Sequence, residues 1–324
     1  MAAKIKIKYI TDFEFCDKNH FLIIKGISIL LGLVSYVLRI CFNINWLSPL
    51  QGIAAAVFLF CSGFGVAEAY RHKRGLVHFW ENKIIGIWIP SLVAMILIAL
   101  IADGFWLKWI AESAIGLKGN LLYFFFGCYA AFWLVFSFFE NRATKCIGLF
   151  VIAGVAVFFV PNQTLVALLP CFPAGVLFSQ YGMKYKVREM KTGGKTLLCT
   201  VCLLFAAGGW VLKVLLDIPY VNTLITAITN LSAALFLLVA VFAAQKVPVF
   251  GIFVPFGYMA YSLYLFYDTI LVMLKTARDL ETAALIVLFL FAVAGVYSWL
   301  RELLIAASKK NRRRKNPRLK GRMW

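Results

Sequence analysis

Eight side chains in this 324-residue sequence combine reactive chemistry with suggestive spacing, and all lie in or beside long apolar runs. In "FLIIKGISILLGLVSYVLRI", residues 21–40, Lys25 and Tyr36 are eleven residues apart, and Arg39 follows three later. Eleven residues make almost whole helical turns, so Lys25 and Tyr36 share one stripe about 16 Å apart, with Arg39 one turn beyond. In "VFLFCSGFGVAEAY" Ser62 is mid-run and Glu68 close to the end; Lys83 opens the following run. "FGYMAYSLYLFYD" ends on Tyr267 and Asp268. Ionisable groups inside apolar runs are costly and point to binding or proton transfer. Lys25, Glu68 and Lys83, expected at one level, would make a net positive cluster suited to an anionic ligand such as phosphates. Snorkelling cations beside one ion pair are the alternative. Asp268 falls at the depth of Arg39 and Tyr36, which predicts an Arg39–Asp268 pair or a shared cavity. Tyr258, Tyr261, Tyr264 and Tyr267 recur every three residues on one face, a pattern that packing alone also explains.

Other chemistries lack their residues. The three histidines, His20, His72 and His78, flank the apolar runs. There is no metal-ligand constellation, no nucleophilic triad and no glycine-rich phosphate loop. "CTVC" at 199–202 has redox spacing, but within an apolar helix it reads as packing, and no disulfide framework is indicated.

The elements that carry these residues follow from composition. The chain is 63% hydrophobic and 15% charged, against about half and a quarter in soluble domains. The expected fold class is therefore all-α, a polytopic membrane protein. Apolar runs of about twenty residues predict ten transmembrane helices near 20–41, 50–69, 83–102, 120–139, 145–160, 165–182, 196–216, 222–244, 252–275 and 282–306. Pro161, Pro170 and Pro173 predict kinked or re-entrant helices around the fifth and sixth. Lysine and arginine concentrate in alternate loops, as in "KYKVREMKTGGK", which puts both termini in the cytoplasm. Trp106 and Trp109 suggest a short interfacial helix between the third and fourth spans. No cleavable leader is expected, because the first twenty residues are polar. The transmembrane domain spans 1–308 and a basic tail 309–324, where nine of sixteen residues are Lys or Arg. Beside a membrane, such a tail meets anionic lipid rather than nucleic acid.

Four stretches, in order, resemble the integral-membrane acyltransferase-3 family. "IKGISILLGLVSY" is similar to its first helix. "VFLFCSGFGVAEAYRHKRGLVHFWENKIIGIWIP" carries a Ser-Gly-Phe signature at Ser62, Gly63 and Phe64, then Phe79, Lys83 and Pro90. "CFPAGVLFSQYGMKYK" and "FGYMAYSLYLFYD" resemble later segments. Where the family carries two histidines this chain has Tyr36 and Tyr267, and Lys83 stands for an arginine. The resemblance implies transfer of an acyl group, acetyl by preference, from acyl-CoA to an envelope polysaccharide or lipid-linked sugar in a bacterial inner membrane. Acyl-CoA would be a co-substrate, with no permanently bound cofactor. Lys25 and Lys83 would hold phosphates; Arg39, Glu68 and Ser62 would line the substrate chamber; Tyr36, Tyr267 and Asp268 would act in catalysis. Histidine accepts a hydroxyl proton near neutral pH, whereas tyrosine titrates near 10. The tyrosines therefore leave two readings open: an active transferase, or a family member that keeps the fold for polysaccharide binding, export or assembly.

Overall fold

The computed structural model describes residues 13–42, 49–71, 78–89, 121–160, 162–216, 218–245, 247–265 and 280–315, with 44, 47 and 76 between them. Every regular element among the described residues is helical. These are α1 (Lys18–Phe42), α2 (Pro49–Tyr70), α3 (Phe79–Lys83) running into a π-helical turn (Ile84–Trp88), α4 (Leu121–Phe138), α5 (Arg142–Ala156), α6 (Gln163–Val166), α7 (Cys171–Gln180), α8 (Met183–Glu189), α9 (Thr192–Leu215), α10 (Pro219–Ala243), a 3-10 turn (Pro248–Ile252), α11 (Phe253–Leu265) and α12 (Leu280–Lys315).

Five segments are long and apolar enough to cross a membrane: Lys18–Arg39, Pro49–Tyr70, Gln163–Gln180, Thr192–Lys213 and Val221–Ala243. Local chemistry sets several boundaries. Asp17 caps α1, its Oδ1 accepting the His20 N–H at 2.6 Å, and Asn141 caps α5 by accepting from Ala143 at 3.1 Å. The expected sixth span is two helices, α6 and α7, joined through 167–170. Pro170 and Pro173 stand at the cap and in the first turn of α7, where a missing N–H costs nothing. The last helix is longer than the apolar run it contains. At 36 residues it measures about 54 Å, against about 30 Å for a hydrocarbon core, and it continues unbroken into the basic tail. Trp106 and Trp109, expected in an interfacial helix, lie outside the described residues.

The chain divides into two compact units: Met1–Leu76 with Gly119–Ala260, and Val77–Lys118 with Tyr261–Trp324. In the first, α2 is central. It packs on α1, α7 and α10, and 67% of its spanning window is buried, against 11% for α9. Lipid gives little hydrophobic drive to helix association, so close backbone contact must supply it. Two reciprocal crossings do this. A Cβ at Gly63 of α2 would collide with the carbonyl oxygen of Phe172, and one at Gly175 of α7 with that of Phe60. Likewise Gly26 of α1 lies on the carbonyl of Phe253, and Gly257 of α11 on that of Leu22. Each of the four motif stretches supplies one glycine to a crossing.

In the second unit α12 packs beside the π-helical turn, and Ser262 and Ser298 share a hydrogen bond at 2.6 Å.

Candidate functional site

The stripe of α1 that carries Lys25 and Tyr36 faces α2. The Lys25 ammonium is 5.9 Å from the Phe58 ring centroid, and a Cβ on Gly32 would stand 3.2 Å from Ala54. Tyr36 is 1% exposed. The Arg39 guanidinium lies 5.3 Å from its ring centroid, so the shared face becomes a cation–π contact. Arg39 itself is half-buried. Its expected partner Asp268, and Tyr267, lie outside the described residues.

Lys25 is half-buried, and among the described residues it forms no ion pair. Glu68 is engaged elsewhere. Its carboxylate accepts from Lys184 of α8 and from the Ser179 hydroxyl of α7 at 3.0 Å, with Arg71 at 3.6 Å. Burial works against the charge on Lys184, but the hydrogen bond and the negative charge of Glu68 outweigh it and raise its pKa above the ordinary lysine value. The acid expected beside Lys25 thus ties α2 to α7 and α8, and among the described residues no carboxylate pairs with Lys25. Lys83 lies in the second unit, its ammonium 5.8 Å from the buried Phe79 ring.

Ser62, at the Ser-Gly-Phe signature, shares a 2.5 Å hydrogen bond with the hydroxyl of Tyr129 on α4. Tyr129 is buried at 4% exposure and packs edge-on against Phe172, 5.8 Å between centroids. Sequence reasoning missed Tyr129. Its signal was a phenol inside an almost wholly apolar span, where a hydroxyl needs a partner. Beyond Phe172 lies a cavity of about 340 Å³ between α4, α5 and α7, walled by apolar side chains such as Leu149, Ile152 and Leu169. Its lining is almost wholly apolar, with the Cys128 thiol among it.

His20 explains why a histidine can sit at the start of α1 and take no part in proton transfer. Its Nδ1 accepts the Cys16 N–H at 3.0 Å, and its Nε2 meets the Leu238 carbonyl at 3.0 Å. Nε2 must therefore carry the proton, and both nitrogens are occupied. Phe13, stacked on the imidazole with centroids 5.3 Å apart, completes an N-terminal hook. Burial raises the Cys16 thiol in that hook well above its ordinary pKa, so it stays protonated. Among the described residues no group of three His, Cys, Asp or Glu side chains is placed to hold a metal ion.

The arrangement offers a buried phenol beside a guanidinium, an intramembrane lysine without an ion pair among the described residues, and a paired serine and tyrosine. A sequence model of the acyltransferase-3 family, described as an acyltransferase domain, matches residues 20–300. No curated protein and no solved structure matches the chain.

Proposed function

The chain belongs to the acyltransferase-3 family, and from that membership we propose that this integral membrane protein transfers an acyl group, acetyl by preference, from acyl-CoA to a hydroxyl of an envelope polysaccharide or lipid-linked sugar. The observation that carries the proposal is Lys25. An intramembrane ammonium without a carboxylate partner among the described residues is unfavourable unless an anion meets it, and the phosphates of acyl-CoA are such an anion. In this reading ten spans place both termini and the basic loops in the cytoplasm of a bacterial inner membrane, and acyl-CoA arrives there. By the family resemblance Lys25 and Lys83 are the candidates to hold its phosphates, and Arg39 and Ser62 to shape the chamber, whereas Glu68 ties α2 to α7 and α8. The acceptor oxygen attacks the thioester carbonyl, the C–S bond breaks, and the hydroxyl proton ends on the released thiol. Tyr36 is the candidate base, and Tyr267 and Asp268 are the other catalytic candidates that the resemblance implies. The basic tail rests on anionic lipid.

One observation favours a second reading, a family member without catalysis. His20 has both nitrogens committed to backbone groups, so it brings no free imidazole to the chamber. The deciding experiment uses purified protein in proteoliposomes with acetyl-CoA labelled on the acetyl group. Under the first reading the label leaves CoA, and Tyr36→Phe abolishes that transfer. CoA binding without turnover toward any acceptor supports the second reading. Wild-type rates in Tyr36→Phe remove Tyr36 as the base.

A further inference from the structure

Among the described residues, three amide side chains in the first unit leave buried polar atoms without a hydrogen bond. Asn230, midway along α10, is 2% exposed, and its Nδ2 has no hydrogen bond. The Nε2 of Gln51, in the first turn of α2, and the Oδ1 of Asn222, two turns before Asn230, are buried and equally unbonded among the described residues. Buried polar groups in folded proteins are nearly always paired, so a set of such orphans calls for a reason. Within a membrane the default reason is a ligand.

Helix register brings them together. A Cβ on Gly52 would come 3.0 Å from Oδ1 and 3.2 Å from Nδ2 of Asn230, so that carboxamide lies on the bare backbone of α2 beside Gln51. One turn away, Ala54 faces Gly32 of α1. The short connection, where the Ser35 hydroxyl donates to Leu47 O at 2.5 Å, returns α2 antiparallel along α1. One turn from Gly32 toward that connection is Tyr36; one turn from Ala54 in the same direction is Gln51. Around α2, Gln51 lies about 60° from Ala54 and about 100° from Gly52, between the face on α1 and the face on α10. Tyr36, Gln51 and Asn230 therefore stand at one level.

We propose that Gln51 and Asn230, with Asn222 two turns away on α10, form a hydroxyl-binding subsite for a neutral sugar, level with Tyr36. The inference rests on the reading that the acyl acceptor is a sugar hydroxyl. Amide side chains are uncharged and offer both donors and acceptors, which matches the alternating needs of sugar hydroxyls. A site built to hydrogen-bond hydroxyls also discriminates strongly against ligands that lack them. The nearest charge on this stripe, the Arg39 guanidinium, is held against the Tyr36 ring. Occupancy by the sugar would satisfy the orphans that the protein alone leaves unbonded.

The test uses the full-length protein in nanodiscs, with methyl β-glucoside and methyl β-N-acetylglucosaminide as probes in saturation-transfer NMR and methylcyclohexane as the hydroxyl-free control. Asn230→Leu and Gln51→Met should each weaken glycoside binding about fivefold, the loss of one neutral hydrogen bond. CoA affinity should not change. Removing an orphaned donor should also raise the Tm of the ligand-free protein, by about 2–4 °C. A purely structural amide would instead lower it. Glycoside affinity unchanged in both variants, no glycoside binding to the wild type, or a fall in Tm for both variants overturns the subsite. If glycosides bind as expected and no acyl transfer occurs, the subsite stands and the transferase reading fails. If transfer occurs with an unchanged acceptor KM in both variants, the transferase reading stands and the subsite fails.

Discussion

The sharpest stability test separates two glycines on one helix. Gly63 and Gly65 both lie in α2, two residues apart, and alanine is the better helix former at either by about 0.5–1 kcal/mol. Their surroundings are opposite. A Cβ at Gly65 meets nothing within 4 Å, whereas one at Gly63 runs into the carbonyl oxygen of Phe172, with the Phe172 carbonyl carbon at 3.1 Å and its Cα at 3.3 Å. Those are backbone atoms, so no rotamer change relieves the clash and α2 must move off α7. Such overpacking costs about 1–3 kcal/mol, and the partner contact of Gly175 on the Phe60 carbonyl is strained by the same movement. The expected result is that Gly65→Ala leaves stability unchanged or raises it by up to about 1 kcal/mol. Gly63→Ala should lose on the order of 2 kcal/mol, a fall of about 4–8 °C in Tm on the scale of 2–4 °C per kcal/mol. The assay is thermal unfolding of the detergent-solubilised protein, followed by retention of the monodisperse peak. Equal Tm values for the two variants would refute the claim that the Ser-Gly-Phe glycine is there for a backbone crossing.

Two further outcomes test the site. Lys25→Met should weaken CoA binding at least tenfold, measured by isothermal titration in nanodiscs, with little change in Tm, because Lys25 has no ion pair among the described residues to lose. The Lys184–Glu68 pair predicts a pH dependence. The folded-state pKa of Lys184 is raised above its unfolded value, so its contribution is complete below about pH 10, the unfolded lysine range, and is lost as pH rises through the folded pKa. Tm measured from pH 8 to 11 should show wild type above Lys184→Met at pH 8 and the gap closing toward pH 11. A gap that stays constant or widens contradicts that sign.

Much of the helical layout was legible in the residues. A 20-residue apolar run must satisfy its own backbone hydrogen bonds in lipid, so length and composition alone pick out α1, α2, α9 and α10 within a few residues of their ends. The proline-broken sixth run was legible as a kinked or re-entrant stretch, and its helix is interrupted at 167–170. The shared stripe of Lys25, Tyr36 and Arg39 is a consequence of helical period, and the contact of Arg39 with the Tyr36 ring follows from it. The partner of Glu68 was not legible. Sequence places it level with Lys25, but α8 returns through Gly182, φ 62°, and brings Lys184 to the carboxylate first.

By itself, then, the sequence determined that this is an all-helical membrane protein of one family, with a lysine and a tyrosine on one face of its first helix, because periodicity and the cost of bare backbone in lipid act along a single chain. The tertiary structure decided which polar groups meet. Ser62 with Tyr129, Glu68 with Lys184 and Asn230 against Gly52 each join residues from different helices, 67, 116 and 178 positions apart. Their pairing depends on how closely two backbones approach, and that distance is set by glycines whose partners no local pattern names.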